Sequence, residues 1–267
     1  MLGSRSSSVD QTGYNFTIAG FTLGADYQVR DDLLVGLATG YSHTGAGFYG
    51  SGGSVEANTW PITAYAAYLP KSFYAFGSVG YALNLFDLER QIQFGSLSRK
   101  AKSSPTGNQF NAYGEAGYDL KARALVVTPM VSLSYSSLWL DGFTESDAGA
   151  LNLKVSAQQA DSLQTGVGAK VSVPIKRNGT TVLPQFYASY QHEFSNNSRG
   201  LDARLSQGSS TFTFQTDPPK RDFAVLGANI TIHARKNLSV RLDYNAEVGR
   251  GSGNTAHNIN AGLRWDF

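Results

Sequence analysis

Residues 238–249 read LSVRLDYNAEVG. Every even position, Leu238, Val240, Leu242, Tyr244, Ala246 and Val248, is apolar or small, and between them stand Ser239, Arg241, Asp243, Asn245 and Glu247. A period of two places these sets on opposite faces of a strand, one oily and one ionic. The pattern recurs at 107–121, where Phe110, Ala112, Ala116, Tyr118 and Leu120 oppose Gln109, Asn111, Glu115, Asp119 and Lys121. It recurs at 162–173, where Leu163, Thr165, Val167, Ala169, Val171 and Val173 oppose Ser162, Gln164, Gly166, Gly168, Lys170 and Ser172. The final stretch HNINAGLRWDF (257–267) does the same, with Ile259, Ala261, Leu263, Trp265 and Phe267 on one side and Arg264 among the polar residues on the other.

Extended along the chain, this reading predicts strands at 14–29, 33–44, 58–69, 73–94, 107–121, 124–140, 150–175, 181–195, 210–233, 238–249 and 256–267. Their connections alternate between short turns (30–32, 70–72, 122–123, 176–180, 234–237) and mostly longer Gly/Ser/Asn-rich loops (45–57, 95–106, 141–149, 196–209, 250–255). Short turns at one end and long loops at the other are the layout of an outer-membrane barrel with its short end periplasmic. Two registers stay open: neither parity is cleanly polar in FYAFGSVGYALNLF (73–86), and the parity of GYNFTIAGFTLG changes around Ala19 and Gly20, where a bulge is expected.

A soluble sandwich also alternates, so the polar face decides the solvent. Charged residues make up only 16% of the 267 residues, against a usual soluble surface of about a quarter to a third. The polar positions are instead rich in Gly, Ser, Gln and Asn, which suits a narrow wet lumen. Aromatic residues fall near strand ends, and Tyr27, Tyr41, Tyr68, Trp139 and Trp265 are the expected membrane-interface residues. Glu115, Asp119, Glu193, Arg241, Asp243, Glu247 and Arg264 are expected to face the lumen. Two readings of these charges stand side by side: a cross-strand ladder that fixes the barrel's shape, or a set in which Glu115, Arg241, Glu247 and Arg264 hold a threading segment.

The formal net charge of +2 provides no basic stripe for nucleic acid. The absence of cysteine excludes disulfide scaffolds and thiolate metal sites. Apolar runs such as LLVGLA (33–38) stop far short of the roughly 20 residues a spanning helix needs, and the opening MLGSRSSSVDQTG has no apolar targeting core. Gly45, Gly47 and Gly50 match a dinucleotide-binding spacing, but SGGSVEAN follows instead of a helix, so the reading is a surface loop. His192-Glu193 has no second histidine one helical turn on and lies in an alternating strand, with His192 expected outward. No pattern supports a catalytic site, a metal site or a cofactor.

Taken together, GFTLGADYQVRDDLLVGLATGYSHT (20–44), NAYGEAGYDL (111–120), VTPMVSLSYSSL (127–138), LPQFYASYQHEF (183–194) and the closing NAEVGRGSGNTAHNINAGLRWDF resemble the C-terminal β-domain of autotransporters, the type V secretion translocators. The resemblance covers nearly the whole chain from about Gly13, and its terminal Asn260, Gly262, Trp265 and Phe267 resemble an outer-membrane insertion signal. It implies a membrane-spanning antiparallel up-and-down β-barrel, twelve-stranded in the family. About eleven strands are expected here, because Phe267 ends on the short-turn side and one strand must precede residue 14, with Met1 to Ser4 as its last residues. Residues 1–13 are thus a remnant of that strand and a loop, and 14–267 the barrel; the family's pore helix is expected to be missing. The implied function is insertion in the bacterial outer membrane and export of an N-terminal passenger; a passive porin-like channel is the alternative. The implied partners are outer-membrane lipid, the barrel-assembly machinery and a covalently linked passenger, with a monomeric barrel and no enzyme activity. Asn196-Asn197 sits between barrel strands, away from any pore helix, and reads as a polar turn, although some autotransporters cleave between two asparagines.

Overall fold

In a computed structural model describing residues 1–7, 12–50, 52–195, 200–215, 220–235, 237–251 and 255–267, the alternating segments form one closed wall. The Asn196-Asn197 pair lies outside the described residues. The wall strands are β1 (Leu2–Arg5), β2 (Tyr14–Arg30), β3 (Leu33–Phe48), β4 (Ser54–Tyr68), β5 (Phe73–Phe94) and β6 (Thr106–Tyr118). They continue as β7 (Leu125–Leu140), β8 (Gln158–Ser172), β9 (Thr180–Glu193), β10 (Asp222–Arg235), β11 (Leu238–Val248) and β12 (Thr255–Trp265). Each pairs antiparallel with its sequence neighbours, and β1 closes the ring by pairing with both β2 and β12.

The closing strand is short. Leu2 pairs with Thr17 on one side and His257 on the other, and the ladder ends one step below, where Met1 and Ile18 exchange backbone hydrogen bonds at 2.8 Å. Below that level β2 continues to Arg30 and β12 to Trp265, each with only its other neighbour as a paired strand. Along this stretch the described residues leave a slot between β2 and β12.

The solvent preference of the faces is written in burial. The buried apolar residues are Ala57, Ala82, Ala101, Met130, Ala148, Ala203, Phe223 and Ala256, and no Leu, Ile or Val is among them. Leu37, Ile62, Leu133, Val167, Phe186, Leu226, Ile259 and Leu263 are all exposed on the outer wall. An aliphatic core is thus absent from the described residues, and the oily surface is the outside. On β3 the outward run from Leu33 to Tyr41 has about the nine to eleven residues a tilted strand needs to cross hydrocarbon. Periplasmic turns are tight: Asn178 (φ 48°) and Gly179 (φ 78°) both adopt the left-handed conformation that a two-residue hairpin requires.

Several expectations change. No bulge occurs at Ala19 and Gly20; the β2–β3 register runs unbroken from Tyr14 to Gln28 and shifts only at Gln28/Arg30. The parity change is an aromatic cluster instead, with Tyr14 against Phe16 and Phe48 at ring distances of 6.3 and 5.8 Å above the membrane belt. The segment 150–175 is two strands, Leu153–Val155 and β8, and 210–233 is also two, Thr211–Gln215 and β10. The surplus belongs to a four-stranded extracellular sheet in the order Phe143–Thr144, Leu153–Val155, Gly200–Leu205, Thr211–Gln215. The loop expected at 95–106 is a hairpin, in which Leu97–Ser103 folds back on the end of β5. Outside hydrocarbon a short strand edge can be satisfied by water, so alternation there carries no constraint on length.

The extracellular sheet is fastened to that hairpin by charge. Arg90 grips Glu145 through two bonds of 2.8 and 2.6 Å and donates to the carbonyl of Leu151 at 3.0 Å, while Arg99 donates to the carbonyl of Ala148 at 2.8 Å. Glu145 is nearly buried and also accepts the Leu153 amide at 2.8 Å. Fork-to-carboxylate geometry fixes orientation as well as distance.

Candidate functional site

The candidate site is the inner wall, where the strand pleat gathers one residue in two from every strand. Its side chains reach one another over intervening strands. Lys170 on β8 bonds Glu115 on β6 at 2.5 Å, passing over β7, where small Ser132 and Thr128 stand opposite the two. Glu115 also accepts the hydroxyls of Tyr74 at 2.8 Å and Tyr113 at 2.7 Å, and the Lys170 ammonium lies 4.8 Å from the Tyr74 ring centre. Nearer the periplasm, Asp119 accepts Thr128 at 2.6 Å.

A second cluster spans the slot. Arg264 on β12 donates two bonds to Asp26 on β2, at 2.8 and 2.7 Å, and its Nε donates to Asp266 at 2.7 Å. Tyr65 adds its hydroxyl to Asp26 at 3.0 Å. On β11, the strand next to β12, Arg241 lies 3.4 Å from Asp243, which also accepts Asn245 at 3.3 Å. At the extracellular end Glu193 is fully buried; it accepts Ser162 at 2.5 Å, Gln164 at 3.0 Å and the amides of Leu163 and Ser195 at 2.9 and 3.1 Å. Arg250 lies 3.8 Å from Glu193 and 3.1 Å from Glu247, with its guanidinium over the Phe223 ring.

Three inner tyrosines lie flat against the wall because the residue directly across the ladder is glycine. Tyr65 faces Gly36, Tyr74 faces Gly117 and Tyr187 faces Gly227, and a Cβ on any of these glycines would overlap the opposing ring. Glycine inside a strand marks such close approach. The rings are thereby kept out of the bore, and their hydroxyls are aimed along the wall at carboxylates.

Asp26, Tyr65, Tyr74, Lys170 and Arg250 belong to these clusters but were not among the nominated residues. Lys170 did sit on the polar parity of its strand; its partner was concealed because it is two strands and 55 residues away. Asp26 lies on the polar parity of Gly20, Thr22, Gly24 and Gln28, and only the parity change upstream at Ala19 and Gly20 conceals the face of its strand.

The nominated interface aromatics divide between two levels. Tyr27, Tyr68 and Trp265 stand at the periplasmic ends of their strands, exposed on the outer wall, with Phe73 and Tyr118 beside them. Tyr41 stands at the opposite level, its hydroxyl on Asn58 at 2.7 Å and its ring 4.8 Å from that of Trp60. Trp139 is near the extracellular end of β7. On β12, Asn260 pairs with Asp243, Gly262 with Arg241 and Trp265 with Leu238; Phe267 lies past the strand end. His192 contacts Asp222 at 2.7 Å and packs edge-on to Phe194, with no cluster of metal-binding side chains among the described residues.

Comparison with known proteins places this architecture. A family model described as "Autotransporter: Autotransporter beta-domain" matches residues 1–245. An extracellular serine protease of Serratia marcescens is 24% identical over 268 residues, covering 99% of this chain and 25% of the protease. The chain spans a quarter or less of the first curated relatives it matches. Among solved structures, the translocator domain of autotransporter NalP from Neisseria meningitidis superposes with a TM-score of 0.77 at 13% identity, covering 100% of this chain and 85% of that one. The β-domain of the Bordetella autotransporter BrkA gives 0.73 at 16% identity, covering 100% and 96%.

Proposed function

This chain belongs to the autotransporter β-domain family, an outer-membrane translocator barrel, and from that premise we propose that it exports a passenger polypeptide joined to its N-terminal side. The observation that carries this reading is the pairing of an oily exterior with an inner face on which three large rings and two ion pairs lie against the wall. Tyr65, Tyr74 and Tyr187 lie on glycines, and Glu115, Lys170, Asp26 and Arg264 satisfy one another laterally. A chain passing through meets many small and polar side chains such as Gly, Ser and Asn.

In this reading Glu115, Arg241, Glu247 and Arg264 have two employers. They hold the wall in shape while the bore is empty, and exchange part of their bonding with a helix or extended segment when it is occupied. Residues continuing before Met1 fill the slot as the rest of β1, supplying backbone partners to Ile18–Arg30 and to 258–265, because unpaired strand edges do not survive in hydrocarbon. Asn260, Gly262, Trp265 and Phe267 present this last strand to the assembly machinery, and the inserted barrel is a monomer. The barrel itself makes or breaks no bond; any chemistry resides in the passenger.

The test is display. In cells carrying the full-length protein, protease added outside should release the N-terminal segment while the barrel stays protected, and replacing both Glu115 and Arg264 by Gln should slow its appearance. An N-terminal segment retained inside the cell, together with steady ion conductance by the purified protein, would transfer the reading to a passive channel.

A further inference from the structure

Where the oily face ends on the extracellular side, β3 and β4 carry a polar cluster that is turned toward the membrane. The outward positions of β3 run Leu33, Val35, Leu37, Thr39 and Tyr41, which crosses hydrocarbon, and the next one is His43. Asn58 of β4 pairs with His43, and the Trp60 ring lies 4.8 Å from that of Tyr41. Trp60 is 53% exposed, and His43 is exposed beside it. Glu56 follows Asn58 on the same parity and faces Asp87 of β5 across the ladder. An indole, an imidazole and an amide, with carboxylates above them, thus succeed an apolar run at the height where headgroups replace hydrocarbon.

The hydrogen bonds of this cluster run along the wall. Tyr41 donates its hydroxyl to Asn58 Oδ1 at 2.7 Å, and His43 Nδ1 lies 3.0 Å from the same oxygen. A tyrosine that only anchored the belt would leave its polar tip to headgroup water, whereas this one positions an amide. An amide oxygen can only accept, so the neutral His43 ring carries its proton on Nδ1 and keeps a lone pair on Nε2. Asn58 Nδ2 and His43 Nε2 make no hydrogen bond with any described residue. The wall therefore presents a donor beside an acceptor. A phosphate or an ester brings acceptors alone and leaves Nε2 unmatched, and a phosphate would also meet the like charges of Glu56 and Asp87. Two neighbouring hydroxyls match both groups, one donating to Nε2 and the other accepting from Nδ2. The exposed Trp60 indole offers a flat partner to the apolar face of the ring that bears them.

We propose that this patch binds the sugar headgroup of a glycolipid in the outer leaflet of the membrane. The lipid is chosen over a free sugar because of what lies below on the same strand. The outward positions of β4 continue toward the periplasm as Ile62, Ala64 and Ala66, and the ladder joins Ala64 to exposed Leu37, to Val79 and through it to Ala112. There the outer wall is hollowed into a depression of about 1030 Å³, lined by Leu37, Ala64, Ala66, Gly77, Ala112 and Gly114 among others. The small residues lower the surface, so an acyl chain lies in the hollow while its headgroup reaches His43 and Asn58. A dissolved sugar has no use for the lower half of this arrangement. The inference does not depend on export of a passenger.

The experiment uses the full-length protein in phosphatidylethanolamine nanodiscs that contain equal minor fractions of monoglucosyl diacylglycerol and phosphatidylglycerol with matched acyl chains. Native mass spectrometry of the released barrel should find the glucosyl lipid retained in preference to phosphatidylglycerol. Asn58→Asp exchanges the donor for an acceptor but keeps the oxygen that Tyr41 and His43 use, and should lower that retention about fivefold, the worth of one hydrogen bond. His43→Phe keeps a ring without Nε2 and should lower it by a similar factor, which carries the test if Asn58→Asp fails to insert. His257→Phe alters another outward histidine, bonded to Tyr244 at 2.9 Å on a different part of the wall, and should match the unaltered protein. Equal retention of the two lipids, preference for phosphatidylglycerol, or equal loss in the His257 variant would each overturn the inference. Displacement of the glucosyl lipid by an equal concentration of methyl glucoside would overturn the lipid as the occupant.

Discussion

Two parts of the wall solve one problem by different means. Where β6, β7 and β8 meet, every strand is paired on both edges, and the Glu115–Lys170 bond lies on top of a complete backbone ladder. Where β12 and β2 approach each other below Leu2, the ladder stops, and Arg264 holding Asp26 is the described side-chain link. The first is a single ammonium–carboxylate bond with side chains 21% and 16% exposed, the second a two-bond guanidinium fork with side chains 49% and 17% exposed. The deeper pair is worth more free energy.

The largest effect is expected from Glu115→Ala, which leaves the part-buried Lys170 ammonium and two tyrosine hydroxyls without their acceptor, at a cost of about 3 kcal/mol. Thermal unfolding in detergent should shift accordingly and recover in part when Lys170→Met is added. An unchanged midpoint would remove the contrast between the two regions. Gly227→Ala comes next, because the added methyl must displace the Tyr187 ring, an overpacking cost of about 1–3 kcal/mol. Denaturant unfolding measures it, and Tyr187→Ala in the same chain should abolish the strain.

Asp26→Asn should cost about 1 kcal/mol globally, since the Arg264 partner is half exposed and screened. Its signature is local: backbone amides at 258–265 should exchange faster, while Glu115→Ala should leave that stretch closer to its original rate. The reverse order would show that the slot is held by something other than this pair. The smallest effect is expected outside the membrane, from Lys100→Gln. The Lys100 ammonium bonded to Glu89 at 2.7 Å holds that carboxyl below its ordinary range. A lowered carboxylate value contributes stability above the ordinary value and loses it as pH falls through the lowered one. The variant should unfold slightly earlier at neutral pH, match the unaltered protein in acid, and so show a flatter acid-side decline.

Period-two alternation made most of this molecule legible. It located β5 residue for residue and set β3, β7, β11 and β12 to within a few positions, because in hydrocarbon every outward side chain must be apolar. The same reasoning failed at 150–175 and 210–233, which lie partly in water, where nothing obliges a strand to keep its face. It also assigns Arg264 to the inner face without supplying Asp26, whose strand changes parity at Ala19 and Gly20 before alternating cleanly through Gln28.

By itself, then, the sequence determined where most wall strands lie, that each has one apolar face, and which end bears the long loops, since each of these follows from the solvent that a single strand must tolerate. Only the tertiary structure decided which charges meet, because Lys170 reaches Glu115 over a strand and Arg264 reaches Asp26 around the closed ring. The extracellular sheet also needed the fold, since its strands come from two separate loops that proximity alone brings together.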